Sequence, residues 1–114
     1  AAAWNRLRAK WNHTHGQTNV WQEPPVHNGE RVKIGSAYLH ANQKPLALME
    51  RQIVACTEVG DVVWEPFGGL CSASIAAIRN GRMAHAAECN PDYQAAASAR
   101  LLSELTRLRS ERAA

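Results

Sequence analysis

This chain predicts an α/β fold with a parallel sheet, on three observations. First, Asp61-Val62-Val63-Trp64-Glu65 is a short β-branched and aromatic run, stopped by Pro66, that passes through Phe67, Gly68 and Gly69 into a small-residue helix pattern from Ser72 to Ile78. Second, Gly81 ends that helix, and another apolar run, Arg82 to Ala87, closes at Glu88. Third, helical spacings flank both runs, with Leu46, Met49, Ile53 and Cys56 before them and Ala97, Leu101, Leu105 and Leu108 after. Strands alternating with helices form parallel sheets. Two strands alone leave both edges open, so the sheet is expected to be incomplete without further strands.

The length of 114 residues allows one domain, or part of one, and is short for a complete two-substrate enzyme. A hydrophobic content of 46% marks globular rather than disordered material. The net charge of +3 permits a nucleic-acid partner without arguing for one. Cys56, Cys71 and Cys89 are odd in number and match no zinc spacing, so they read as reduced structural thiols, and no metal site is expected. With no long apolar span and no signal peptide, a soluble cytoplasmic protein with no membrane partner is expected.

In chain order, Ala1 to Lys33 holds Trp4, Trp11 and Trp21 among Arg6, Arg8, Lys10, His13 and His15, without sustained periodicity. It reads as an arm or the end of a preceding domain. Interleaved rings and cations suit a nucleic-acid surface, and equally suit tryptophans packed on the body beside solvated charges. His13 and His15 share a strand face but lack a third ligand. His27 and His85 read as ordinary surface or core histidines. Glu23-Pro24-Pro25 is a rigid turn or extended segment, and Val26 stands where a catalytic acidic-Pro-Pro loop wants an aromatic residue.

Leu39 to Lys44 is a polar loop at the start of the helix that Pro45 opens. Helix starts favour anions, and Asn42 and Gln43 read most simply as caps. Lys44 is out of place there unless an anion lies nearby. Next, the paired glycines after Glu65 admit a ligand close to the backbone, and the amides opening the following helix are unpaired donors. Glu88, nineteen residues past Gly69, is where nucleotide-binding units place an acid for ribose hydroxyls. Finally, Asn90-Pro91-Asp92 starts the last helix, with Asn90 as cap. Its leucine stripe should pack on the sheet, leaving Arg100, Glu104, Arg107, Arg109, Glu111 and Arg112 largely outside.

Taken together, Gln43-Lys44-Pro45-Leu46, then Gly60 through Gly69, then Glu88-Cys89-Asn90-Pro91-Asp92-Tyr93 resemble the carboxy-terminal cofactor-binding half of the amino-group DNA methyltransferases. The match covers about Leu39 to Leu102, with three motifs in the family's order and spacing. The resemblance implies a Rossmann-like methyltransferase fold that transfers methyl from S-adenosylmethionine to the exocyclic amine of adenine or cytosine in DNA. It implies that Asn42, Gln43 and Lys44 face the methionine carboxylate. Glu65, Pro66, Phe67, Gly68 and Gly69 would form the turn under the methionine and ribose, Glu88 would hold the ribose, and Cys89 would lie against the adenine. Residues 1–38 would then be an arm or the end of a target-recognition or catalytic region, and residues 39–114 the S-adenosylmethionine-binding region.

The chain departs from the pattern in several places. Ala41 replaces a loop proline, Glu65 replaces aspartate, and Leu70-Cys71-Ser72 replaces Ser-Gly-Thr, leaving Gly68 to compensate for the lost glycine. The catalytic Asp/Asn-Pro-Pro-aromatic loop, which holds an extruded base, is absent, so a second chain or missing segment would carry it and this chain alone would transfer nothing. Three competing readings remain. A non-catalytic remnant could act as a scaffold or DNA-binding subunit. A nicotinamide-dependent oxidoreductase would want three glycines where an adjacent pair stands. Methylation of RNA or a small molecule would share the same cofactor site.

Overall fold

The computed structural model describes residues 20–27 and 29–114. The readings placed on Trp4, Arg6, Arg8, Lys10, Trp11, His13 and His15 lie outside them. A hairpin comes first, β1 (Lys33–Ile34) antiparallel to β2 (Ala37–Tyr38), closed by Gly35 and Ser36. Gly35 sits at φ 61°, the left-handed backbone that glycine adopts without penalty. Then follow α1 (Leu46–Cys56), β3 (Val62–Glu65), α2 (Ser72–Arg79), β4 (Met83–Ala86) and α3 (Pro91–Ala113).

β3 and β4 pair in parallel, with Val63 opposite Ala84 and Glu65 opposite Ala86. The α/β class and the open two-stranded parallel sheet are therefore as the sequence indicates. α2 packs on both strands and α1 packs on α2. Between them Ile53, Ala76 and Ala77 form a small core, joined by Leu46, Met49, Val63 and Ala84. The alanines on α2 have no bulk beyond Cβ, so the helix lies close to the strands. Side chains alternate across a strand, and the other sheet face therefore carries Val62, Trp64 and Met83, all exposed, with Trp64 at 60%.

Three expectations need correction. In α1 the inward position is Ala55, fully buried, while Cys56 at the helix end is exposed. The stripe on α3 packs on α2 rather than on the sheet, and Leu105 within it stays 36% exposed. Glu104 and Arg100 are not solvent dressing. The buried Glu104 carboxylate takes Arg79 at 2.8 and 3.0 Å and Arg107 at 2.5 Å, and Arg100 donates to the Leu70 carbonyl. A charge so deeply placed persists because it is paired. No described helix is long and apolar enough to cross a membrane.

Candidate functional site

The carboxyl ends of β3 and β4 lie side by side because the strands are parallel and in register, which brings Glu65 to Gly69 against Ala86 to Cys89. The join is made by hydrogen bonds. Gly68 N–H donates to the Ala87 carbonyl at 2.8 Å, and Gly69 N–H donates to Glu88 Oε2 at 2.7 Å. The other Glu88 oxygen accepts from Asn90 N–H at 2.8 Å. Each carboxylate oxygen thus accepts one of these amides, out of the roughly four acceptor positions a carboxylate has. The Asn90 and Gly69 amides hold the Glu88 carboxyl below the ordinary carboxylate range.

Glu65 has a second duty. Its carboxylate accepts Ser74 N–H at 2.9 Å and the Ser74 hydroxyl at 2.6 Å, so it closes the amino-terminal end of α2, where an anion is favoured. The turn backbone is unusual at Cys71, which takes φ 55° and ψ 42° just before α2. This is the position of the family's second glycine, and Cys71 itself adopts the left-handed geometry at a cost of about 1–2 kcal/mol. Gly68 does not compensate by conformation, since its φ is not positive. It compensates by space: a Cβ there would meet Cys71 Sγ at 2.9 Å and the Ala87 carbonyl at 3.3 Å. Burial, then the Glu65 charge, push the Cys71 thiol up to about 11, so it is a neutral packing group.

The loop before α1 forms the facing wall. Gln43 is buried, and caps nothing: its Oε1 accepts Val32 N–H at 3.0 Å and its Nε2 donates to the Glu30 carbonyl at 2.8 Å. The cap on α1 comes from Glu30, whose carboxylate accepts Leu46 N–H at 2.7 Å. Asn42 and Lys44 are exposed beside it.

Two open pockets flank the fully presented Phe67, which is 92% exposed. One, of about 180 Å³, is lined by the loop residues His40, Asn42, Gln43 and Lys44 against Glu65 and the glycines. The other, of about 270 Å³, is lined by Pro66, Phe67, Ala87, Glu88 and Cys89. All ten site residues named from sequence therefore border one or other of these two pockets, which share Phe67. Neither pocket alone reaches the roughly 300 Å³ at which ligand sites begin, so an extended ligand would straddle the ring.

His40 was missed. Its Nε2 lies over Gly69, 3.2 Å from where a Cβ would stand, its Nδ1 accepts Asn42 N–H at 3.1 Å, and its ring meets Tyr93 at 4.6 Å. Its place at the head of the loop, with Tyr93 closing the third motif, was the available signal. Among the described residues no group of three metal-ligating side chains converges.

A family model described as DNA methylase matches residues 2–99. The DNA adenine methyltransferase YhdJ of Escherichia coli (strain K12) is 36% identical over 83 residues, 73% of this chain and 27% of that protein. The type II methyltransferase M.ScaI of Streptomyces caespitosus is 36% identical over 87 residues, 76% of this chain and 29% of that protein. The chain thus spans somewhat over a quarter of the length of these relatives. Among solved structures, the M1.HpyAVI–SAM complex superposes on 80% of this chain and 43% of its own, with a TM-score of 0.66 and 26% identity. TTHA0409 of Thermus thermophilus, described as a DNA modification methylase and complexed with S-adenosyl-L-methionine, is 43% identical over 53% of this chain and 25% of its own, with a TM-score of 0.51.

Proposed function

This chain belongs to the DNA methylase family, and on that premise we propose that it is the cofactor-binding part of an enzyme that methylates the exocyclic amine of adenine or cytosine in DNA. The observation that carries the proposal is the bridge from Gly69 N–H to Glu88. It fixes an acid with acceptor capacity to spare beside a side-chain-free turn, which is what a ribose on a tightly apposed backbone requires. The residues fit S-adenosylmethionine. Glu88 would hold the ribose hydroxyls, Phe67 and Cys89 would supply apolar contact to the adenosine, and Lys44 with Asn42 would meet the amino-acid end.

Bound there, the cofactor supplies an electrophilic methyl group. The chain's own contribution is to orient it: the Glu65 cap on α2 and the Cys71 turn hold Gly68 and Gly69 rigid, and the Gln43 clamp holds the loop that carries Lys44. No residue here offers the Pro-Pro-aromatic platform that grips an extruded base. A second chain or a further segment supplies it, and the open edges of β3 and β4 offer places for its strands. On this reading residues 39–114 form the cofactor region, residues 1–38 belong to the recognition or catalytic side, and the protein works on DNA in the cytoplasm.

The missing platform favours one alternative, a non-catalytic remnant retained as a scaffold. Calorimetric titration with S-adenosylhomocysteine separates the two, with NAD and the Glu88→Ala variant as controls. Binding of S-adenosylhomocysteine but not NAD, lost in the variant, is expected. A folded chain that ignores it supports the scaffold.

A further inference from the structure

The β1–β2 hairpin serves no part of the core: all four of its strand residues are exposed. It nevertheless carries an ordered charge arrangement. The Arg31 guanidinium sits 4.6 Å, and the Lys33 ammonium 5.2 Å, from the centre of the Tyr38 ring, itself 44% exposed. Two like charges gathered on one ring repel each other. Among the described residues no carboxylate pairs with either cation, and the nearest acid in sequence, Glu30, is committed to capping α1. The ring contacts offset that repulsion only weakly at an exposed site. An external anion would offset that repulsion.

The hairpin is also placed with respect to the cleft. Gln43, which lines the pocket, holds Glu30 and Val32 through its amide, and Leu39 N–H donates to the Val32 carbonyl at 3.0 Å. The cations therefore ride on the base of the loop that presents Lys44. We propose that Arg31 and Lys33, preorganised on Tyr38, contact the sugar–phosphate backbone of duplex DNA beside the cofactor cleft. Duplex DNA presents closely spaced phosphates to cations, and stacking on the ring reduces the rotamer entropy each long side chain loses on binding. The inference rests on the reading of DNA as the substrate.

The test is binding of the full 114-residue chain to a short fluorescent DNA duplex, followed by anisotropy across a salt series. In the Arg31→Gln/Lys33→Gln variant the slope of log affinity against log salt is expected to shrink by about 1.8, or about 0.9 for Lys33→Gln alone. An Arg109→Gln/Arg112→Gln variant, which makes the same charge change at the far, exposed end of α3, is expected to keep the parent slope. An unchanged slope in the hairpin variant, an equal loss in the α3 variant, or no duplex binding by the parent would each overturn the proposal. S-adenosylhomocysteine titration of the same proteins keeps the two readings apart. If the product fails to bind while the DNA slopes behave as expected, the cofactor assignment falls and the hairpin stands.

Discussion

The exchange of Gly68 and Cys71 across the turn makes a sharp prediction. Gly68→Ala places a Cβ 2.9 Å from Cys71 Sγ, closer than such atoms approach, and 3.3 Å from the Ala87 carbonyl. Overpacking of this kind costs about 1–3 kcal/mol, and the Gly68 amide bond to Ala87 limits how far the turn can retreat. Cys71→Gly removes a left-handed backbone cost of about 1–2 kcal/mol, loses a small buried side chain, and adds about 0.5–1 kcal/mol of glycine entropy. The single change should therefore leave stability within about 1 kcal/mol of the parent. In that background the Gly68→Ala Cβ keeps only one tight neighbour, the Ala87 carbonyl, which a shift of a few tenths of an ångström relieves. The double variant should be more stable than the sum of its parts by about 1–2 kcal/mol, read from urea denaturation at constant m. Additivity within about 0.3–0.5 kcal/mol would refute the claim that Gly68 is empty because Cys71 fills its space.

Other outcomes follow from the same geometry. Glu104 has its carboxyl held down to about 2, first by hydrogen bonds from Arg79, so its stabilisation is complete above the ordinary value near 4.5 and disappears as pH falls toward 2. Thermal melts of Glu104→Gln should lose the parent's steep destabilisation across that window and cost about 2 kcal/mol at neutral pH, a figure discounted because both arginines are partly exposed. Replacing Glu65 with alanine uncaps α2 and should destabilise by about 1–2 kcal/mol, with Gln recovering part of the loss in the same melts. The lowered Glu88 carboxyl means that S-adenosylhomocysteine affinity should hold flat from neutral pH down past the usual carboxylate range, then fall as Glu88 protonates.

What the sequence disclosed was what local chemistry dictates. β-branched residues before Pro66, paired glycines after it, and an acid at the right distance indicate the strand, the turn and the acid that meets it without reference to the rest of the chain. What it concealed depends on contacts between distant residues. Gln43 looked like a cap because caps are local, whereas its partners are 11 and 13 residues away. Glu104 looked exposed because helical periodicity assigns faces but does not reveal that Arg79, 25 residues earlier, closes over it. The hairpin was overlooked although Gly35-Ser36 is a recognised two-residue turn, since strands of two residues carry no periodicity to detect.

The cleft and the bare sheet face bear on one another. Parallel sheets are normally covered on both sides, and here Val62, Trp64 and Met83 are open on the side away from α1 and α2. The buried large aliphatic side chains among the described residues are Ile53, Leu70 and Ile75, each contributing about 1.5–3 kcal/mol, with alanines giving close helix contact between them. The turn that would carry the cofactor hangs on the last residues of those same two strands, so anything that covers the open face also stiffens Gly68, Gly69 and Glu88. A companion piece that buries Trp64 should thus tighten S-adenosylhomocysteine binding without touching the ligand, and a Trp64→Ala substitution should abolish that gain while leaving the isolated chain's affinity unchanged. Equal affinity with and without the companion would mean that the hydrogen bonds at Glu65 and Glu88 already hold the turn in its binding geometry.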